Sequence, residues 1–177
     1  MKKSTFITAI IFAFALLVST NSTAQKFQGL DKSPMDAASF PSDYKISDKT
    51  VKVVYARPQL KGRSLNDLIP DGKLWRTGAN EAVEITFYKD MTVAGSQVKV
   101  GTYTLSTIPG EKEWTFILSS DLNVWGSYFY NKENDVTRFK GVVSTSEDSL
   151  EAFSIVFDED NTMHLGWGKT RVAVRMK

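Results

Sequence analysis

The feature that most constrains how this 177-residue chain folds is an alternation of apolar and polar side chains with a period of two. Successive side chains of a β-strand point to opposite faces of a sheet, so this alternation is typical of strands with one buried face. We therefore predict an all-β fold. The residues that share the buried faces of the predicted strands are Val51, Val53 and Tyr55; Val83, Ile85 and Phe87; Trp114, Phe116 and Leu118; Phe153, Ile155 and Phe157; and Val172, Val174 and Met176.

Turn residues separate the predicted strands at short intervals. Residues 94–96 predict a tight hairpin, and residues 109–112 and 158–161 predict two further turns. About nine short strands joined largely by hairpins are typical of an antiparallel β-sandwich or jelly-roll-like domain. At most one or two short helices are expected, one of them at residues 64–68, because Pro70 would end it.

The N-terminus has the pattern of a secretory signal peptide. Two lysines precede an apolar run at residues 6–18, and Ser22 and Ala24 occupy the small-x-small positions of a cleavage site. The run is shorter than the roughly 20 residues that a membrane-spanning helix needs. We therefore expect cleavage after Ala24 and export to the periplasm or the extracellular space.

Removal of residues 1–24 changes the overall charge. This segment carries two of the 22 basic residues and none of the 20 acidic ones, so the mature chain has 20 of each and a net charge near zero. Nucleic-acid binding needs clustered positive charge and is not expected. We interpret residues 25–48 as a polar lead-in and residues 49–177 as one domain, with no membrane span in the mature chain.

The chain contains no cysteine and one histidine, His164. The lack of cysteine excludes disulfides, thiol nucleophiles, zinc–thiolate sites and iron–sulfur clusters. One histidine excludes multi-histidine metal centres, and no nucleophile motif lies beside it to favour a Ser-His-Asp triad. No Gly-rich phosphate loop links a strand to a helix. We predict neither a cofactor nor a metal, and interpret residues 158–161 as a hairpin turn rather than a calcium loop.

The chain also carries motifs shared with a known family. The most specific is the run Trp-Arg-Thr-Gly-Ala-Asn-Glu at residues 75–81, and the others are Tyr55-Ala56-Arg57-Pro58, Lys61-Gly62-Arg63, Val98-Lys99-Val100-Gly101-Thr102-Tyr103, Ile108-Pro109-Gly110, Glu113-Trp114 and Asn123-Val124-Trp125-Gly126. Over roughly residues 33–177 the chain resembles the DUF2911 family. The resemblance implies an exported, β-sandwich-like domain of unknown function, found chiefly in Bacteroidetes-type bacteria. One departure is Gly168, where the family pattern often has an acidic residue.

Residues 57–84 hold the densest group of chemically useful side chains. An arginine can donate two parallel hydrogen bonds to a carboxylate or phosphate, and a tryptophan can cover the apolar face of a sugar. Gly78 and Asn80 tolerate positive φ, which favours a defined loop. We predict a site for a glycan or another small polar or acidic ligand. Its residues are Arg57, Arg63, Trp75, Arg76, Asn80 and Glu81.

An aromatic run at residues 123–130 extends this prediction. Trp125 and Tyr128 lie in a segment without strand alternation, and an exposed tryptophan with tyrosines is typical of a carbohydrate-binding surface. The alternative is that Trp125 caps one end of the domain. Trp114 alternates with Phe116 and is predicted to lie in the core.

Three functional interpretations are open at this point. The leading one is a non-enzymatic binding or interaction domain of the cell envelope. The second is a carboxylate-dependent hydrolase of glycan or peptide, with Glu81 as the first acid to test, which requires a second carboxylate at a suitable separation. The third is a structural envelope component whose arginines pair with Glu81 and Glu84 and only brace the loop.

Overall fold

The computed structural model of the chain describes residues 25–177, and the predicted signal peptide lies outside the described residues. Residues 25–30 contain no helix or strand, while Asp31–Lys177 form a separate folded unit. None of the helices in the described part of the chain has the length and apolar character needed to cross a membrane.

The regular secondary structure of the described residues is almost all antiparallel strand, as the alternation predicted. One α-helix of a single turn, α1, covers Leu65–Leu68, and a 3-10 turn covers Lys132–Asn134. The strands are β1 (Met35–Phe40), β2 (Val51–Ala56), β3 (Val83–Phe87), β4 (Met91–Val93), β5 (Ser96–Val98), β6 (Gly101–Ile108), β7 (Glu113–Ser119), β8 (Asp135–Phe157) and β9 (Thr162–Arg175).

The main sheet contains seven strands in the order β1-β2-β3-β6-β7-β8-β9, and β4 and β5 form a two-stranded ribbon. Strand β8 pairs first with β7 and then with β9, and its register shifts between Thr145 and Ser154. Within the second of these shifts it runs beside the segment that follows β2, where the Phe153 N–H donates to Pro58 O at 2.9 Å. The sheet therefore curls back on itself.

Aromatic side chains fill the part of the core that lies inside this curl. Trp75 stacks on Trp167 with ring centroids 5.7 Å apart. It meets Phe153 and Trp114 in edge-to-face contacts at 5.1 and 6.0 Å. All four residues are buried, Trp114 as the alternation predicted. Such rings bury large apolar areas and add directional contacts, so this cluster is a main source of stability.

The local predictions are confirmed at the turns and the helix. Ala94 and Gly95 have φ values of 45° and 88°, as a two-residue hairpin turn of type I′ requires. The α1 helix begins with a capping box, in which the Ser64 side chain accepts from Asp67 N and the Asp67 side chain accepts from Ser64 N. Gly168 has a φ of 54°, a conformation that favours glycine.

Two stretches of strand were not predicted. Strand β1 lies inside the segment interpreted as a polar lead-in, and the first half of β8 has mostly exposed side chains. Strand β1 is an edge strand that pairs with β2 alone. Neither stretch needs a continuous apolar face, because backbone hydrogen bonds to a neighbouring strand hold each of them.

The Tyr55 hydroxyl joins the two sides of the curl and carries a testable stability effect. It donates to Ile155 O at 3.3 Å and accepts from Ile155 N at 3.0 Å. Burial raises the pKa of Tyr55, so the hydroxyl keeps its proton at neutral pH. We expect Tyr55→Phe to lower the free energy of unfolding by about 1–3 kcal/mol, because both backbone groups of Ile155 lose their partner.

Urea denaturation measures this effect. The matched control is Tyr128→Phe, since Tyr128 is 79% exposed; its unfolding free energy should change by less than about 0.5 kcal/mol. Equal midpoints for the two variants would show that the Tyr55 hydroxyl does not hold the curl together.

Candidate functional site

The structure brings one half of the predicted site together with the aromatic run. We call residues 121–130 the aromatic loop; it runs antiparallel to the segment that precedes β3. The Ala82 N–H donates to Val124 O at 2.9 Å, and the Gly126 N–H donates to Asn80 O at 3.0 Å. Between these two bonds, Glu81 and Trp125 form a β-bridge. Arg76, Asn80, Glu81, Trp125 and Tyr128 are thereby grouped in one region.

Left-handed backbone conformations shape both segments. Asn80 and Asn123 have φ values of 60° and 58°, and Gly126 has 68°. Asparagine and glycine tolerate this region, so the prediction for Asn80 is confirmed. The prediction for Gly78 is wrong, because its φ is not positive. It is needed instead for close packing, since a Cβ there would lie 3.2 Å from Ala56 O.

Polar contacts anchor the aromatic loop at its C-terminal end. The Tyr130 hydroxyl lies 2.9 Å from both carboxylate oxygens of Asp135 and accepts from Arg138 Nη2 at 2.7 Å. Burial, followed by the hydrogen bond to Asp135, raises the pKa of Tyr130. At the other end the Thr104 hydroxyl donates to Asp121 O at 2.5 Å. The loop is therefore fixed at both ends.

The aromatic loop presents large side chains to solvent. Trp125 is 54% exposed, Tyr128 79% and Phe129 75%. Contiguous exposed aromatics are unusual on a monomeric soluble protein and commonly mark an interaction surface. The sequence analysis did not single out Phe129, although it lies in the same aromatic run, because phenylalanine has no polar group and is most often a core residue.

Arg76 lies against this loop with capacity for further hydrogen bonds. Its Nε is buried and has no hydrogen-bond partner among the described residues. A Cβ on Gly126 would lie 3.7 Å from Arg76 Nη1 and 2.8 Å from the Tyr128 ring. The Arg76 guanidinium and the Tyr128 ring therefore both approach Gly126.

Glu81 is exposed, and its backbone pairs with Trp125 across the bridge. Opposed residues of such a bridge project their side chains from the same face, so the Glu81 and Trp125 side chains share one face. Within residues 25–177 its carboxylate makes no hydrogen bond or ion pair. The neighbouring acid, Glu84, accepts from Asn123 N at 3.0 Å and so helps to hold the loop.

The prediction that Trp75 offers a ring face to a ligand is wrong. Trp75 is 8% exposed, and Trp167, Trp114 and Phe153 surround its ring. Its backbone pairs with Thr107 at the end of β6, which directs the indole into the core. The indole N–H donates to Gly78 O at 3.0 Å. Trp75 therefore stabilises the turn at residues 75–78 from the core side.

Arg57 and Arg63 lie outside the grouped residues and have structural contacts. Arg57 donates to Phe153 O at 3.0 Å, to Ser154 Oγ at 2.7 Å and to Asp36 Oδ2 at 3.1 Å, which ties β1 and the end of β2 to β8. Arg63 donates to Leu60 O and Gln59 O of its own loop.

The interpretation that these arginines pair with Glu81 and Glu84 is wrong. The ion pairs found among the described residues join Arg57 to Asp36, Lys99 to Asp90 and Arg138 to Asp135, and bring His164 beside Asp158. Backbone hydrogen bonds hold residues 80–82 to the aromatic loop, and Arg57 and Arg63 make their contacts elsewhere.

The acidic turn between β8 and β9 is a hairpin, as predicted. Asp158 accepts from Thr162 N and lies at 2.8 Å from His164 Nε2. The hydrogen bond with His164 is the main cause that lowers the pKa of Asp158. Within residues 25–177, no group of three or more acidic or histidine side chains is arranged to hold a metal ion.

Comparisons with known proteins identify the family. A family model described as a protein of unknown function (DUF2911) matches residues 33–176, which confirms the resemblance over most of the chain. No curated protein and no solved structure matches the chain.

Proposed function

This chain belongs to the DUF2911 family, whose function is unknown, and we propose from its site geometry that it is an exported, non-enzymatic domain that binds glycans. The observation that carries the proposal is the exposed aromatic loop beside Arg76 and Glu81. The predicted signal peptide supports export, which would bring the loop into contact with envelope and environmental polysaccharides.

The aromatic side chains supply the apolar part of the binding surface. A pyranose ring has a face of C–H groups that loses little water-bonding capacity when it is covered by an aromatic ring. Trp125 is large, half exposed and held at its backbone by the bridge to Glu81. This pre-ordering reduces the entropy that ligand binding would cost.

Arg76 and Glu81 supply complementary polar groups. A carboxylate accepts hydrogen bonds from sugar hydroxyls, and a guanidinium donates a parallel pair to a ligand carboxylate. The two Nη groups of Arg76 make no hydrogen bond within residues 25–177 and are the donors open to a ligand, whereas the unpaired Nε is buried. The combination of aromatic rings, one acceptor and one cationic donor favours an acidic glycan, such as one that contains uronic acids.

Binding to uronic-acid and neutral oligosaccharides by the purified 25–177 chain tests the proposal. We expect Trp125→Ala to weaken binding of every bound glycan by about tenfold or more, because a central aromatic contact is lost. Arg76→Ala should weaken the binding of acidic glycans by about tenfold and the binding of neutral glycans less, since a charged hydrogen bond is removed. Isothermal titration calorimetry gives both ratios.

Arg63→Ala is the matched control, because this arginine bonds only to carbonyls of its own loop in the described structure. It should leave glycan affinity unchanged. The absence of binding to any glycan would overturn the proposed function. Glycan binding that survives both Trp125→Ala and Arg76→Ala would overturn the proposed site.

A further inference from the structure

A separate cavity of about 260 Å³ lies between α1, the turn from β6 to β7, and strands β8 and β9. Its lining combines buried apolar residues with polar ones. Ile69 and Trp114 are buried, whereas Asp71, Glu111 and Thr145 are exposed around them. An apolar base with a few polar groups is the usual composition of a small-molecule site.

Trp114 gives this cavity an unused hydrogen-bond donor. The other core tryptophans have partners, since Trp75 donates to Gly78 O at 3.0 Å and Trp167 donates to Glu151 O at 3.1 Å. Trp114 is 4% exposed and lines the cavity, yet its indole N–H donates no hydrogen bond within residues 25–177. The indole nitrogen is not one of the buried atoms that lack a partner in the described structure, so it keeps access to solvent and can reach a bound molecule. An acceptor atom on a ligand in the cavity can supply the partner.

The charge of the lining is negative. Asp71 and Glu111 both contribute to the cavity, and no lysine, arginine or histidine does. Neither carboxylate forms an ion pair or a side-chain hydrogen bond in the described part of the chain. Two unpaired carboxylates at one opening attract a cation and repel an anion.

We propose that this cavity binds a small amine that also carries hydroxyl groups, of the class of an amino sugar with a free ammonium group. The ammonium group lies at the carboxylates of Asp71 and Glu111, and a hydroxyl oxygen accepts from the Trp114 indole. The cavity is smaller than the ~300–1,000 Å³ typical of drug-sized ligands, which matches a single sugar ring. The site shares no residue with the aromatic loop and takes a ligand of opposite charge.

The test compares glucosamine with N-acetylglucosamine, which differ in the charge of the nitrogen. Titrations of the 25–177 chain near pH 6, followed by calorimetry, should show binding of glucosamine at least about tenfold tighter than N-acetylglucosamine. The double variant Asp71→Asn, Glu111→Gln should bind glucosamine about tenfold more weakly. Trp114→Phe should bind it several-fold more weakly, with thermal unfolding recorded to confirm that the variant is folded.

Glu159→Gln is the matched control, because Glu159 is an exposed acid in the hairpin between β8 and β9 and does not line the cavity. It should bind glucosamine like the unaltered chain. Equal affinity for the two sugars, no measurable glucosamine binding, or full affinity in the double variant would each overturn the proposal. Trp125→Ala and Arg76→Ala should leave glucosamine binding unchanged, so failure of this site and failure of the aromatic-loop site are separable.

Discussion

Replacement of Trp75 by alanine is expected to lower the free energy of unfolding by about 3–5 kcal/mol. The ring is packed between Trp167, Trp114 and Phe153, with centroids 5.1–6.0 Å away. Alanine would leave a cavity that these large rings cannot fill by small movements, because each is itself packed in the core. It would also remove the indole donor that bonds to Gly78 O.

Trp125→Ala is the matched control, since the chemical change is identical and the residue is 54% exposed. Its unfolding free energy should change by less than about 0.5 kcal/mol. Urea denaturation followed by far-UV circular dichroism measures both. If Trp75→Ala does not fold, Trp75→Phe keeps most of the ring and should show an intermediate loss. Equal denaturation midpoints for the two alanine variants would contradict the core position of Trp75.

The alternation in the sequence was sufficient to predict most strands, and the reason is physical. Val83, Ile85 and Phe87 lie on one face of β3 and are all fully buried, so the pattern and the burial coincide. The pattern did not predict strand β1, because its Met-Asp-Ala-Ala-Ser-Phe sequence is only partly buried and pairs with a single neighbouring strand. Patterning reports the burial of side chains, whereas an edge strand depends largely on backbone hydrogen bonds.

The candidate site was only half predictable, since its geometry depends on contacts between distant parts of the chain. The bond from Gly126 N to Asn80 O, which aligns the aromatic loop, has no signal in either segment alone. Arg57 and Arg76 look alike in the sequence, but only Arg57 finds an acid, Asp36, on the unpredicted strand β1. Trp75 was misassigned for a similar reason, because its pairing with Thr107 is an isolated bridge without alternation.

Gly141→Ala is expected to lower the free energy of unfolding by about 3 kcal/mol, at the upper end of the range for overpacked cores. A Cβ at this position of β8 would lie 2.6 Å from Phe116 Cε2 and 2.9 Å from both Val172 Cγ1 and Val174 Cγ2. Phe116 cannot turn away, because its ring stacks on Phe139 at 5.4 Å with an interplanar angle of 5°. Strands β7, β8 and β9 would all have to shift.

Gly166→Ala in β9 separates this steric effect from the general effect of replacing a strand glycine. Its Cβ would meet Leu150 Cδ1 at 2.7 Å, a similar distance, but this atom is the end of a flexible, partly exposed side chain. Leu150 can rotate, so the loss should stay below about 1 kcal/mol, offset in part by the lower backbone entropy of alanine in the unfolded chain. Thermal and urea unfolding of the two variants should therefore differ clearly. Equal losses would mean that the rings around Gly141 can rearrange, and that the curl of the sheet tolerates a wider spacing at β8 than the stacked phenylalanines indicate.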